Sequence, residues 1–510
     1  MNLRHAFSFG KPQNLPVAVI GAATIALLIG GGGCTMEPAY RRPAAPIASQ
    51  WPPEPVLAAA TPVNAAASAA ADIGWREFFN DPRLQRLIEL ALQHNPDARI
   101  AALNIAAARA QYHIQQAYLF PSISATGVEV DERYPASVAG IATGVSSGGA
   151  TTAIDTRGTT FRYFDAGIGF TSYELDLFGR LRSLGRERQQ QYFGYVETRR
   201  AAQISLVAEV ANAYLTLLAD QELLNITQST LGSQQNSYDL TNLSYTGDVA
   251  TLLDLRQAET SVDSARANLA QYTRQVAQDQ NALVLLLGTP LPRDLPPEGG
   301  LEEQHLLADL SEGLPSDLLI RRPDVLAAEH NLIAANASIG AARAAFFPSI
   351  LLTGNYGTAS TQLSGLFGGG SAAWTFEPQI SLPIFAAGAN VAALDLAKVQ
   401  KNINVVQYES AIQTAFREVA DALAGRGTLD SQIAADQALV EATSESYRLS
   451  EMRFRTGVDS YLNVLDSQRA LYSAEQALVG VKLARLQNIV TLYKALGGGW
   501  NEHDRRHGGQ

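Results

Sequence analysis

An apolar ladder with a seven-residue interval constrains this chain more than any other feature. Leu465, Tyr472, Val479, Leu486 and Tyr493 keep that interval inside residues 388–496, a stretch almost free of proline and poor in glycine. A heptad of this kind marks an under-wound helix packed lengthwise on neighbouring helices. The same ladder occurs earlier as Leu255, Val262, Leu269, Val276 and Leu283, each rung 210 positions upstream of its counterpart. Thr246-Gly247 and Thr456-Gly457 keep the offset. The chain therefore carries one long helical hairpin twice, as a duplicated half and not as a short solenoid repeat.

Composition narrows the function classes. The 510 residues carry a net charge of -11 and a single cysteine. An acidic chain lacks the clustered cations that nucleic acid or an anionic membrane surface requires. One cysteine makes neither a disulfide framework nor a Cys-type metal site. His94, His113 and His330 show no metal-ligand spacing and read as solvated helix positions. Gly144, Ser146 and Gly148 form a G-x-S-x-G without the strand, helix, acid and histidine of a nucleophile elbow. The glycine runs at 30–33 and 368–370 lack the Lys-Ser/Thr of a phosphate loop. The residues predict no enzyme, cofactor or metal.

The N-terminus reads as a secretory signal over residues 1–33. Arg4 and Lys11 precede an apolar run at 17–29, too short for an ordinary spanning helix. Cys34 follows directly and reads as a lipidation site, although Gly31 stands where a lipobox usually has leucine. Residues 34–74 form a Pro/Ala-rich strap in which Pro43, Pro46, Pro52, Pro53, Pro55 and Pro62 forbid a continuous helix.

The body divides into a first repeat at 75–288, a linker at 289–312, a second repeat at 313–496 and a tail at 497–510. Asp81-Pro82 and Asn95-Pro96 are helix starts. Phe120-Pro121-Ser122-Ile123 ends a helix, and the same pattern returns as Phe347-Pro348-Ser349-Ile350. Alternating apolar and polar residues follow each. Phe164, Ala166, Ile168 and Phe170 interleave with Asp165, Gly167, Gly169 and Thr171. Trp374, Phe376, Ile380, Leu382 and Ile384 interleave with Thr375, Glu377, Gln379 and Ser381. Period two with one aromatic-rich face suits transmembrane barrel strands. Residues 131–160 read as a loop. A helix break is expected near Gly232, and a helix over 388–439 would span about 75 Å, too long for a bilayer. Four strands cannot close a barrel, so the chain must oligomerise.

Several motifs carry a family resemblance. They are Trp75-x-x-Phe78-Phe79-x-Asp81-Pro82, Gly313-Leu314-Pro315-Ser316-Asp317 with Arg321-Arg322-Pro323-Asp324, Ala344-Ala345-Phe346-Phe347-Pro348-Ser349-Ile350, Thr456-Gly457-Val458-Asp459-Ser460-Tyr461-Leu462 and Tyr493-Lys494-Ala495-Leu496-Gly497. Over essentially the whole chain they resemble the outer-membrane efflux lipoproteins, the NodT-like and OprM-like relatives of TolC. The resemblance implies a mainly α fold with a small β part. In it, three copies build a periplasmic α-barrel from the duplicated hairpins and a 12-stranded outer-membrane β-barrel from four strands per chain. It implies a passive duct for small molecules, a homotrimer serving a periplasmic adaptor and a resistance-nodulation-division inner-membrane pump. Two alternatives remain, a type I protein-secretion duct and a periplasmic coiled-coil adaptor or scaffold. An adaptor would carry one hairpin between β-domains. The resemblance also places a periplasmic gate after the Thr456-Gly457 turn, carried over onto Leu462, Asp466 and Arg469. Their spacing puts the three on one helix face. Asp254 and Arg256 stand at the matching part of the first copy and would complete the ring. The bland alternative is that Asp466 and Arg469 form an ordinary exposed i,i+3 ion pair.

Overall fold

A computed structural model of the protein describes residues 35–52, 70–135, 159–307, 310, 313 and 315–502. Cys34, the signal segment and most of the loop expected at 131–160 lie outside the described residues. The elements run in two matching series. In the first, α1 (Trp75–Phe78), α2 (Pro82–His94) and α3 (Pro96–Ala117) lead into β1 (Ile123–Tyr134) and β2 (Thr159–Leu175), then α4 (Arg180–Thr246) and α5 (Leu252–Leu287). In the second, α6 (Leu318–Arg321) and α7 (Pro323–Ala344) lead into β3 (Ser349–Ser360) and β4 (Ala372–Ser381), then α8 (Ala389–Arg455) and α9 (Tyr461–Ala495). Helices α4 and α8 each have 67 residues, about 100 Å at 1.5 Å per residue.

Four expectations are corrected. Gly232 does not break the chain, because α4 runs through it to Thr246. One glycine costs a helix only about 1 kcal/mol, and packing of the flanking turns outweighs that. Helix α8 continues past 439 to Arg455. The strands reach into the expected loop, since residues 131–134 belong to β1 and residues 159–160 to β2. Conversely, Leu382 and Ile384 lie beyond the end of β4.

Local chemistry sets the helix ends. Asp81 caps α2 by accepting from the amides of Arg83 at 2.7 Å and Leu84 at 3.3 Å. Its other oxygen accepts from the Tyr214 hydroxyl at 3.0 Å, which fixes α2 on α4. Gly288 ends α5 in the left-handed region, φ 67°. The glycines after α9 have separate reasons. Gly497 and Gly499 hold φ of 85° and 103°, and a Cβ on Gly498 would meet the Tyr493 ring at 2.2 Å. That ring stacks on Phe78 at 3.8 Å, and its hydroxyl donates to the Ile73 carbonyl at 2.7 Å.

Contacts divide the chain into two units. The sheet unit comprises Met1–Tyr40, Gln111–Arg188 and Ala334–Lys401; the helical unit comprises the remainder. In the sheet unit Glu37 meets Arg186 at 3.5 Å, and Asn336, fully buried, donates to the Pro38 carbonyl at 2.7 Å. In the helical unit Trp51 stacks on Phe416 at 4.9 Å and donates to the Gly313 carbonyl. The start of the strap is thus seated by specific contacts in each unit. His330 is not the solvated histidine expected. It is half-buried, its Nδ1 lies 2.8 Å from Gln190 Oε1, and desolvation lowers its pKa.

Candidate channel: the sheet and the hairpin tips

The sheet has the order β1-β2-β3-β4, antiparallel throughout. Register assigns its two faces. Ala125 pairs with Ile168, Ile168 with Tyr356 and Tyr356 with Trp374. The next row is Ile123, Phe170, Gly354 and Phe376. These residues share one face, and there Ile168, Tyr356 and Trp374 are 61%, 70% and 75% exposed. The opposite face carries Thr126, Asp165, Gly167, Gly169, Asn355, Thr375, Glu377 and Gln379. The alternation read from the sequence is therefore the alternation of the sheet. Gly167 and Gly169 leave room for Asn355, whose Oδ1 would lie 2.6 Å and 3.1 Å from a Cβ at these positions. A bulge between Phe170 and Tyr173, with Ser172 at φ 55°, resets the facing of β2 below it.

Among the described residues, no strand lies beside the outer edges of β1 and β4. An open edge leaves backbone donors and acceptors unmet, which a bilayer does not tolerate.

At the far ends of the helices lie two turns. Residue for residue they are not identical. In the second, Gly457 takes the left-handed conformation, whereas in the first it is Asp248, φ 56°, and not Gly247. The first helix thus runs one residue further before reversing. Helix α5 then opens with a capping box, where Asp254 accepts from the Thr251 amide at 3.0 Å and hydroxyl at 2.6 Å. Arg256 pairs with Glu259 on its own helix. In the second turn Asp459 accepts from Arg453 at 3.1 Å. Tyr461, Val464 and Leu465 bury against Ala258, with Tyr238, Tyr447 and Phe454 around them. Their burial fixes the rotation of α9, leaving Leu462, Asp466 and Arg469 exposed together. Asp466 and Arg469 form no ion pair with each other or with Asp254 or Arg256 among the described residues, contrary to the bland expectation. By the 210-residue offset, Leu462, Asp466 and Arg469 correspond to Leu252, Arg256 and Glu259. The exposed leucine is repeated, but the two charges are reversed in sign. Asp254, chosen from the sequence, is two residues before the position that matches. A groove of about 590 Å³ between α8 and α9 is lined by Glu445, Leu449, Arg453, Asp459, Asn463 and Asp466.

Sequence reading missed what holds the hairpins side by side. Gln468 donates to Ser233 at 3.2 Å, and Ser233 shares a 2.8 Å hydrogen bond with Tyr447. Further along, Thr227 and Tyr472 are 2.9 Å apart, Gln476 donates to Tyr272 at 2.8 Å and Gln487 to Thr216 at 3.1 Å. The signal was the four-residue spacing of Gln468, Tyr472 and Gln476, which lines one side of a helix.

The profile of the family described as "Outer membrane efflux protein" matches residues 87–289 and 314–498. The chain belongs to the outer membrane efflux protein family. Among its relatives, the toluene efflux pump outer membrane protein TtgC of Pseudomonas putida is 51% identical over 471 residues, covering 92% of this chain and 94% of the relative. The outer membrane protein OprJ of Pseudomonas aeruginosa is 43% identical over 487 residues, covering 96% and 97%. The open state of the MtrE outer membrane channel of Neisseria gonorrhoeae superposes with a TM-score of 0.80 at 39% identity, covering 92% of this chain and all of that one. The two profile segments fall on the two element series, so the duplication belongs to the family and not to this chain alone. As a family member the protein is an efflux channel of the outer membrane, mainly helical with a small antiparallel sheet.

Proposed function

We propose that three copies of this chain form a passive exit duct. The observation that carries the reading is the open four-stranded sheet, with an apolar outer face and, among the described residues, an unpaired edge at both β1 and β4. The β4 edge of one copy meets the β1 edge of the next, and three copies close a twelve-stranded barrel without a free edge. The helical hairpins of three copies form a ring on the periplasmic side. Through it, small molecules pass from a resistance-nodulation-division pump, by way of a periplasmic adaptor, to the outside. A lipid on Cys34 anchors the strap. The channel itself needs no cofactor.

The inner end closes at the second turn. Leu462 from each copy supplies an apolar constriction, and Asp466 faces a neighbouring hairpin. Arg256 at the matching position of the first turn carries the opposite charge, so alternating hairpins present Asp466 and Arg256 to each other. Arg469 and Glu259 repeat that complementarity one turn on, and Asp254 holds the start of α5 so that Arg256 keeps its place. The experiment is conductance in planar bilayers. Wild type gives a small resting conductance, and Leu462→Gly with Asp466→Gly raises it severalfold in a trimer of unchanged mass. A trimer whose conductance does not change puts the constriction elsewhere; a monomer in membranes ends the duct reading.

A further inference from the structure

We propose that the upper β1–β2 hairpin is a docking site for a phosphorylated glycolipid headgroup of the outer leaflet, of the lipid A type, with its bridging divalent cations. The inference rests on the barrel reading above. The apolar face runs from the row of Ile350 and Ile380 up to Phe164 and Ser360, which are paired. Ten residues along β3 separate these rows, roughly 34 Å along a strand and about 26 Å along a barrel axis tilted by about 40°. That is the thickness of the hydrocarbon band of an outer membrane. At its upper margin the same face changes character. Glu129 pairs with Phe164, Asp131 with Arg162 and Arg133 with Thr160. Four charges thus stand on the lipid-facing side, within roughly 10 Å above the apolar band.

The other face is mixed at the same rows, with Val128 opposite Asp165, Val130 opposite Tyr163 and Glu132 opposite Phe161. There Tyr134 packs edge-on to Phe161 at 5.8 Å and its hydroxyl donates to Glu132 at 2.6 Å. The opposite charges gathered directly above the apolar band are therefore the feature that suits a charged headgroup layer. An arginine is strongly disfavoured in hydrocarbon, so this cluster sits at headgroup level.

The two signs have separate partners. Arg162 is held by Asp131, with its Nε at 3.0 Å, and Glu129 lies 3.9 Å away. Arg133 has no ion pair or hydrogen bond among the described residues. Among the described residues its five donors meet no acceptor, and a guanidinium matches the geometry of phosphate oxygens. Glu129 and Asp131 meet the divalent cations that bridge neighbouring phosphates. A phospholipid monolayer without such bridging would offer nothing to the acids.

The test is native mass spectrometry of the detergent-purified full chain, with lipid A or phosphatidylglycerol added at equal concentration. Trimer mass and heat-modifiable gel migration are scored in the same samples, so a failure of the barrel reading is seen separately. Wild-type trimer retains lipid A in preference to phosphatidylglycerol, and chelation of divalent cations weakens retention. Arg133→Ala with Arg162→Ala lowers lipid A occupancy about tenfold or more, the loss of a charge-assisted contact. Arg133→Ala alone touches no partner among the described residues and still lowers it. Equal retention of both lipids, or full lipid A occupancy in a trimeric double variant, overturns the proposal.

Discussion

Arg42 in the strap and Glu329 in α7 form a two-pronged ion pair across 287 residues of sequence, with Nε to Oε1 and Nη2 to Oε2 both 2.7 Å. Glu329 is 6% exposed while the arginine is partly in water. Removing the arginine leaves a carboxylate in a site that cannot solvate it. Arg42→Ala is expected to cost about 1–3 kcal/mol, less than a fully buried pair because the guanidinium side is wet. Arg42→Lys restores only part, since an ammonium cannot bridge both oxygens. Thermal melting of the purified protein measures it, and an unchanged melting temperature in Arg42→Ala would show the pair to be idle.

Gly425 and Gly232 make opposite demands on the same substitution. A Cβ on Gly425 would stand 2.5 Å from Asn488 Oδ1, displacing an amide that donates to the Ala422 carbonyl at 2.9 Å. Gly425→Ala should destabilise by about 1–3 kcal/mol. Gly232 has open space around it, so Gly232→Ala should stabilise by up to about 1 kcal/mol through helix propensity. Denaturant midpoints that move the same way in both variants contradict this account.

Asp220 lies beside Asp279 where α4 meets α5. Burial, then the hydrogen bond and charge of Asp279, push its carboxyl up to about 6. A carboxyl raised in the folded state favours folding when protonated. Wild type therefore has no penalty below the unfolded value near 4 and acquires one as pH rises through 6. Asp220→Asn keeps a donor for Asp279 without the second charge. It should add about 1 kcal/mol at pH 7.5, a value discounted for the solvent that reaches the site, and nothing at pH 4. Melting temperatures of both proteins across that range decide it. A gain independent of pH would assign the effect to packing.

The two faces of the sheet should respond differently to arginine. Ile168→Arg puts a charge into the lipid-facing row and is expected to cost about 2–4 kcal/mol, seen as loss of heat-resistant oligomer. Thr375→Arg, on the polar face, should leave assembly intact and lower cation over anion permeability. Reversal potentials in asymmetric salt measure the second effect. Equal loss of assembly in both variants would mean that the faces are wrongly assigned.

Much of this architecture was legible because periodicity is a local property. The heptad at Leu255 and Leu465 and the alternation at Phe164–Phe170 record which side of each element is buried, and both need only sequence. Gly232 misled because helix propensity is weak beside tertiary packing, and no local signal reports the packing. The Thr-Gly repeat marks both turns but not their shape, since Asp248 takes the left-handed region in the first and Gly457 in the second. At the tip, spacing put Asp466 and Arg469 on one face but could not say that they leave each other unpaired. That depends on how Tyr461 and Leu465 rotate α9 into Ala258, a contact across two hairpins.

The bonds between the hairpins, from Ser233 with Gln468 to Thr216 with Gln487, join only hydroxyls and amides. Screening by dissolved salt acts on ions and hardly on such pairs. The space outside a bacterial inner membrane takes on the salinity of whatever surrounds the cell. Two hairpins stitched by uncharged groups keep their spacing when the cell moves from fresh water to brine, while the charged residues at their turns feel the change.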